Sequence, residues 1–328
     1  MKALVCHAYG PVESLKLEDV PDPTPAAGQV LVGVRAAGIN FPDVLVVQGK
    51  YQFKPPPPFS PGGEVAGVVE ALGSGVEGIR VGDRVQAMGT YGGIAEKFVT
   101  DTSRVIRMPD GVDFVTASCL AMAYGTTLHA LRDRGHLKSG ETLLVLGAAG
   151  GVGLAAVQIG KRMGAKVIAA ASNPDKLETC KRHGADALID YSREDLKERV
   201  KALTGGAGAD VIYDPVGGAY TEAALRATAW NGRFLVIGFA GGDIPRVPTN
   251  LVLLKGCSLV GVFWGMAMMR DPAHGRGQLQ EILGWVKDGS LKPQVHARYP
   301  LDRALDALSD IEHRRVQGKA VVVVGGES

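Results

Sequence analysis

Between residues 121 and 264 the apolar positions follow two periods in turn. Short, predominantly apolar runs at 142–146, 167–171, 187–190, 211–214, 234–237 and 259–263 are separated, in most cases, by stretches where apolar residues recur every three or four positions. A run of that kind and length reads as a strand covered on both faces, and the longer period reads as a helix lying on it. Six such strands predict an α/β unit built as a doubly wound parallel sheet. Local punctuation places the helix starts. Asn173 followed by Pro174 offers an N-cap with proline at the first helical position, and Ser192-Arg193-Glu194-Asp195 resembles a capping box.

Residues 1–120 are patterned differently. Runs at 29–36, 64–72 and 83–87 are rich in β-branched residues and broken by Gly and Pro, which predicts a β-rich domain joined by turns rather than helices. The proline-rich stretch 54–63 donates little to a sheet ladder and reads as a stiff loop, either a surface connector or the wall of a binding cleft. Beyond Trp264 a helix is expected near 278–288, a strand near 295–299, a helix near 302–312 and a buried apolar run at 319–324. That last run is expected to return to the first domain. The resulting division is 1–120 completed by 265–328, with 121–264 between them.

The first strand of the α/β unit ends in chemistry. Leu143 to Leu146 leads into Gly147-Ala148-Ala149-Gly150-Gly151-Val152-Gly153, and apolar residues at helical spacing follow. Glycines at 150 and 151 let a pyrophosphate approach the backbone, Gly153 lets the helix pack close to its strand, and the helix N-terminus turns unpaired N–H groups toward the anion. Ala148 stands where the dinucleotide fingerprint has its first glycine. The second strand ends Ala169-Ala170-Ala171-Ser172 without the carboxylate that would accept from a ribose 2′-OH. Ser172, Lys176 one helical turn further, and Tyr191-Ser192-Arg193 after the third strand would instead suit a 2′-phosphate, which predicts NADPH rather than NADH.

Composition narrows the alternatives. With 328 residues and 46% hydrophobic positions, the chain is long enough for two cores. Its 36 basic and 34 acidic residues leave a net charge of +2, so no global field favours nucleic acid or an anionic membrane. Four cysteines at 6, 119, 180 and 257 form no CxxC pair and read as small buried hydrophobes in a reducing compartment. The N-terminal segment shows no secretory pattern and no apolar run approaches a membrane span, so a cytoplasmic protein is expected.

Taken together, Gly38-Ile39-Asn40-Phe41-Pro42-Asp43, Pro61-Gly62-Gly63-Glu64-Val65-Ala66-Gly67, Val81-Gly82-Asp83-Arg84-Val85, the turn 148–153 and Tyr213-Asp214-Pro215-Val216-Gly217 resemble the zinc-free quinone oxidoreductases. These are the zeta-crystallin-like members of the medium-chain dehydrogenase/reductase superfamily, and the resemblance spans essentially the whole chain. It implies a Rossmann doubly wound parallel sheet plus a GroES-like β-rich catalytic domain, with hydride transfer from NADPH in the cleft between them. It also implies a homodimer, with the strand at 259–263 at the seam. Zinc-dependent members carry Cys and His where this chain has Asn40 and Gly63, and neither replaces a thiolate or an imidazole. No functional zinc is expected, and the seven scattered histidines suggest no ligand set.

The resemblance also implies roles. Asn40 lies near nicotinamide and substrate, where its amide either donates to a quinone carbonyl or secures loop backbone. Asp43 and Tyr51 line or support the cleft, with Tyr51 a stacking group, a proton donor or loop packing. Leu45 replaces a tyrosine common in the family. Ala149, Gly150, Gly151 and Val152 belong to the turn, and Thr126 lies near the nicotinamide ribose. Ile237, Gly238, Phe239 and Ala240, with Val262, Phe263 and Trp264, run along the nicotinamide, and Lys319 lies near the adenine end. Quinones and conjugated enones suit a site that orients its acceptor without a metal. The rivals are reduction of an enone or an enoyl thioester such as acryloyl-CoA, with Lys50, Lys54, Arg270 and Arg276 as phosphate contacts, and a crystallin-like structural or RNA-binding role. The balanced charge and the lack of a basic stripe count against the last.

Overall fold

The computed structural model describes residues 1–325. The chain forms two compact units, one of Met1–Met122 joined by the segment from Arg270 onward, the other of Ala123–Met269.

In the first unit, strands β1 (Lys2–Val5) and β2 (Lys16–Asp19) form a small antiparallel pair. The main sheet uses β3 (Gln29–Ile39), β4 (Glu64–Leu72), β5 (Arg84–Met88), β6 (Lys97–Asp101) and β7 (Val105–Arg107). The second unit contains β8 (Thr142–Leu146), β9 (Lys166–Ala171), β10 (Ala187–Asp190), β11 (Ala209–Asp214), β12 (Thr228–Val236) and β13 (Ser258–Gly261). Strands β14 (Val295–Pro300) and β15 (Lys319–Val323) return to the first unit, where β15 pairs with β3 through Ala320 opposite Ile39 and Val323 opposite Ala36. Burial accompanies this pairing: Ala320, Val321 and Val322 expose no surface.

The first unit is not free of helix. Phe41–Val47 is helical with Pro42 in its first turn, and Phe114–Ala117 forms one more turn capped by Asp113, which accepts from Thr116 N. Both are too short to carry a period visible against the surrounding strands. The proline-rich loop remains outside the sheets except for one bridge between Cys6 and Phe59.

The second unit's sheet has the order β10-β9-β8-β11-β12-β13, every neighbouring pair parallel. Counted from β8 this is 3-2-1-4-5-6, the Rossmann order, with its direction of winding reversing between β8 and β11. Leu143, Leu144, Val145 and Leu146 are fully buried, as expected of a central strand covered on both faces. Asn173 caps the helix Pro174–Arg182 by accepting from Lys176 N. The next start differs from expectation. Helix Leu196–Leu203 is capped by Asp195, while Ser192 folds back onto Asp190 through its N–H and its hydroxyl, so the capping-box reading at 192–195 placed the start three residues early. The sixth strand ends at Gly261, leaving Val262 and Phe263 in a loop and Trp264 at the start of helix Trp264–Arg270.

Candidate active site

In a doubly wound sheet the loops that follow the strands gather at one edge, and the crevice opens where the winding reverses. Here the loop after β8 is the glycine turn. Gly147 takes a left-handed φ of 55°, and Gly150 is the N-cap of helix Gly151–Arg162 with no side chain bonding back to the helix N–H groups. Those donors remain available to a ligand. Gly153 does what the sequence suggests: a Cβ there would stand 2.3 Å from Gly147 O and 2.8 Å from Ala148 Cα, so only glycine lets the helix lie this close to its own turn. Ala148 and Ala149 are buried.

Ser172 and Tyr191 follow β9 and β10 at the same edge. Tyr191 N donates to Ala171 O at 3.2 Å, which joins the two loop starts, and the Tyr191 ring packs on Tyr220 with centroids 4.3 Å apart. Lys176 stands in the first turn after Asn173, half-buried. Arg193 is exposed and lies 3.8 Å from Asp190. No acidic side chain follows Ala171 in the β9 loop before Asp175, and Asp175 is exposed.

The other half of the sheet contributes three loops at that edge. After β11, Asp214 accepts from Val216 N, Gly217 N and the Thr221 hydroxyl, which fixes the loop; burial pushes its carboxyl above the usual carboxylate range against those bonds. After β12, Ile237 N and Ala240 N donate to Asp214 O and Pro215 O, setting the course of Ile237, Gly238, Phe239 and Ala240. After β13, Val262 N donates to Val236 O. Thr127, next to Thr126, bonds Val152 O at 3.3 Å and Tyr213 Oη at 2.9 Å, so the Thr126 turn is tied to the start of the glycine-turn helix. These contacts gather the loops after β8 to β13 at one edge of the second unit's sheet, whereas Asn40 and Lys319, also expected at the cofactor, belong to the first unit.

Lys319 belongs to the first unit, where it is 3% exposed. Its ammonium donates to Ile39 O at 3.1 Å, to Glu64 Oε2 at 3.3 Å and to Asn40 Oδ1. An ammonium whose three donors are taken up inside this unit is not a free cation for an adenine nucleotide, which corrects the adenine-end reading. Asn40 is equally committed: Nδ2 donates to Glu64 Oε2 at 3.0 Å and to Gly38 O at 3.2 Å. Both N–H groups of the amide are used, so the structure favours the loop-securing role of Asn40 over donation to a quinone carbonyl. Glu64 completes the cluster by accepting from Met122 N. Gly38 is required beside it, since a Cβ would stand 1.9 Å from Ser118 O.

Asp43 adjoins this cluster. Its carboxyl accepts from Asn40 N at 2.7 Å and from the Gly62 backbone, yet burial dominates and lifts its pKa to about 7, against the opposing pull of Lys319. Tyr51 is half-buried, and desolvation together with the nearby Asp43 pushes its phenol upward. Cys119, fully buried, is pushed up to about 12 by desolvation, so it offers no thiolate at neutral pH. Arg276 donates to Ser103 O, whereas Lys50, Lys54 and Arg270 are exposed. Glu64 and the true setting of Lys319 are what sequence reasoning missed. The available signal was a charged residue at the head of each of two buried apolar runs, 64–69 and 319–324.

The positions where zinc-dependent relatives would place ligands do not fit the metal. The Asn40 amide is spent on Lys319, Glu64 and Gly38, and a side chain at Gly63 would begin 2.6 Å from Gly89 O. Among the described residues no cluster of three or more His, Cys, Asp or Glu could hold a metal ion, and no helix is long and apolar enough to cross a membrane.

Residues 26–110 match the alcohol dehydrogenase GroES-like domain, and residues 151–283 match the zinc-binding dehydrogenase domain. The chain belongs to the zeta-crystallin-like quinone oxidoreductase branch of the medium-chain dehydrogenase/reductase superfamily. It is 41% identical over 325 residues to the quinone oxidoreductase-like protein 2 homolog of Nematostella vectensis, covering 98% of this chain and 88% of that protein. The Escherichia coli quinone oxidoreductase solved with NADPH superimposes with a TM-score of 0.93 at 29% identity, covering 98% of this chain and all of that one. The CurK enoyl reductase superimposes at 0.88 with 27% identity, covering 99% of each chain.

Proposed function

We propose that the protein is an NADPH-dependent reductase that delivers hydride to a quinone without zinc. The observation that carries the cofactor half is the edge formed by the uncapped glycine-turn helix with Ser172, Lys176 and Tyr191: it offers hydroxyls, an amine and helix N–H groups where an NAD site would present a carboxylate. Bound NADPH supplies the hydride, and one proton from solvent completes reduction of the quinone to a hydroquinone. The chain's own residues hold the pyrophosphate on the 150–153 backbone and the 2′-phosphate on the Ser172, Lys176 and Tyr191 side. Ile237, Gly238, Phe239 and Ala240, with Val262 and Phe263, form the run along the nicotinamide.

In the first unit the Asn40, Glu64 and Lys319 cluster fixes the 38–43 loop. Asp43 and Tyr51 stand beside it as the groups placed to support the acceptor. Zinc independence is supported by the donor chemistry at Asn40 and Gly63. A homodimer through β13 is supported by the exposed edge of that strand and by Leu253, Leu254 and Leu259, which are 78%, 66% and 39% exposed. Sedimentation would return twice the 34.3 kDa chain mass if so.

The likeness to an enoyl reductase supports a second acceptor class, activated carbon–carbon double bonds. Initial rates of NADPH oxidation with quinones, enones and acryloyl-CoA separate the two. Turnover with quinones alone supports the proposal, turnover with the enoyl thioester alone moves it to the second class, and NADPH binding without any turnover removes both.

A further inference from the structure

The two halves of the second unit's sheet are joined at their loops by one pair of rings. Tyr191 directly follows β10, and Tyr220 opens the helix Tyr220–Arg226 that follows β11. In the order β10-β9-β8-β11 two strands lie between them, and ordinary strand spacing puts β10 and β11 about 14 Å apart. The ring centroids are nevertheless only 4.3 Å apart, tilted by 42°, whereas the other three aromatic pairs among the described residues stand at 6.0, 6.1 and 6.4 Å. Both rings are half-buried and rest on the core that the sheet shares with Leu196 and Val200 of one helix and Ala224 and Leu225 of the other.

Tyr220 is the anchored member of the pair. Beside it, the Thr221 hydroxyl donates to Asp214 Oδ2 at 2.9 Å and Thr221 N donates to Gly218 O at 3.3 Å. The turn leading into it needs Gly217 and Gly218, whose φ angles of 70° and 61° are left-handed, and a Cβ at Gly217 would stand 2.9 Å from the Phe239 ring. Tyr191 instead lies in a turn outside helix and strand, where a side chain ordinarily has several rotamers to choose from. Stacking removes that choice, because turning the ring away gives up both the Tyr220 face and the core beneath it. A phenol fixed before binding donates to an anion without the ordering cost that a mobile side chain would add.

We propose that Tyr220 is a positioning residue for 2′-phosphate selectivity: stacked on Tyr191, it holds the Tyr191 phenol at the edge where Ser172 and Lys176 stand. Tyr220 acts through its ring and needs no contact of its own with the cofactor. The proposal rests on the NADPH reading of that edge and adds the residue from the other half of the sheet that sets its geometry.

Calorimetric titration of the full chain with NADPH and with NADH tests it through the ratio of the two dissociation constants. Tyr220→Phe keeps the ring and is expected to keep the parent's preference for NADPH. Tyr220→Leu is expected to reduce that preference about three- to tenfold by weakening NADPH while NADH is unchanged. In a Tyr191→Phe background, where the phenol is already gone, Tyr220→Leu is expected to change the ratio no further. Tyr220→Met, which refills the space with a flexible chain, reads the same ratio if the leucine variant does not fold. A ratio that stays at the parent value in these variants, an equal weakening of both cofactors, a loss of preference in Tyr220→Phe, or an undiminished effect in the Tyr191→Phe background overturns the proposal and leaves the NADPH reading standing. A parent chain with no preference for NADPH overturns both.

Discussion

The two units build polar chemistry in opposite ways. In the first, Asn40, Glu64 and Lys319 are buried and bonded to one another, so their hydrogen-bonding capacity is used to hold a loop. In the second, the glycine-turn helix keeps its first N–H groups uncapped by any side chain of its N-cap residue, so capacity is left for a ligand. A closed network fixes geometry before anything binds; an open edge has affinity. Side-chain identity alone does not separate the two, because an asparagine in a family motif can sit in either setting.

The largest test of this contrast falls on the closed cluster. Lys319→Met leaves Glu64 buried without its cation and is expected to destabilise the protein by about 3–5 kcal/mol in denaturant unfolding. Lys319→Met combined with Glu64→Gln is expected to recover a substantial part of that loss, because the second change removes the uncompensated charge. A double variant as unstable as the sum of the two single variants would mean that they do not act as a pair.

Next comes the open edge. Gly153→Ala forces a Cβ against Gly147 O and the Ala148 backbone and is expected to cost about 1–3 kcal/mol, with loss of dinucleotide binding. Lys176→Ala is expected to weaken NADPH about tenfold in calorimetry and to leave NADH nearly unchanged, as the loss of a charge-assisted phosphate contact implies. Equal effects on both cofactors would remove Lys176 from the phosphate site.

A further test concerns pH. The raised pKa of Asp43 means that the folded chain binds a proton there which the unfolded chain has released. Its contribution is therefore fully present below about pH 4 and is lost as pH rises to about 7. Relative to the parent, Asp43→Asn should gain stability across that window and remain level above it. A difference that is flat with pH would show that Lys319 keeps Asp43 ionised in the fold.

Legibility followed the same division. The α/β unit was open to sequence reasoning because its strands are predominantly apolar runs and its ligand edge is made by residues next to them in the chain: the glycine turn follows β8, Ser172 follows β9 and Tyr191 follows β10. The cluster in the first unit was not, because Lys319 meets Glu64 and Asn40 across 255 and 279 residues, a pairing no local spacing encodes. Placing Lys319 at an adenine nucleotide came from family likeness, and the register of β15 beside β3 overrides it. The cap of helix Leu196–Leu203 was misread for a local reason: Ser192 and Asp195 are both competent caps, and Asp190 had already engaged the serine.

The central claim is that the β8, β9 and β10 edge is a site for a 2′-phosphorylated nicotinamide dinucleotide. Calorimetric titration of the same protein with NADPH and with NADH tests it most directly. Binding of NADPH at least tenfold tighter than NADH, with the margin shrinking as salt is raised, is the predicted result. Equal affinity for the two, or a preference for NADH, would contradict it.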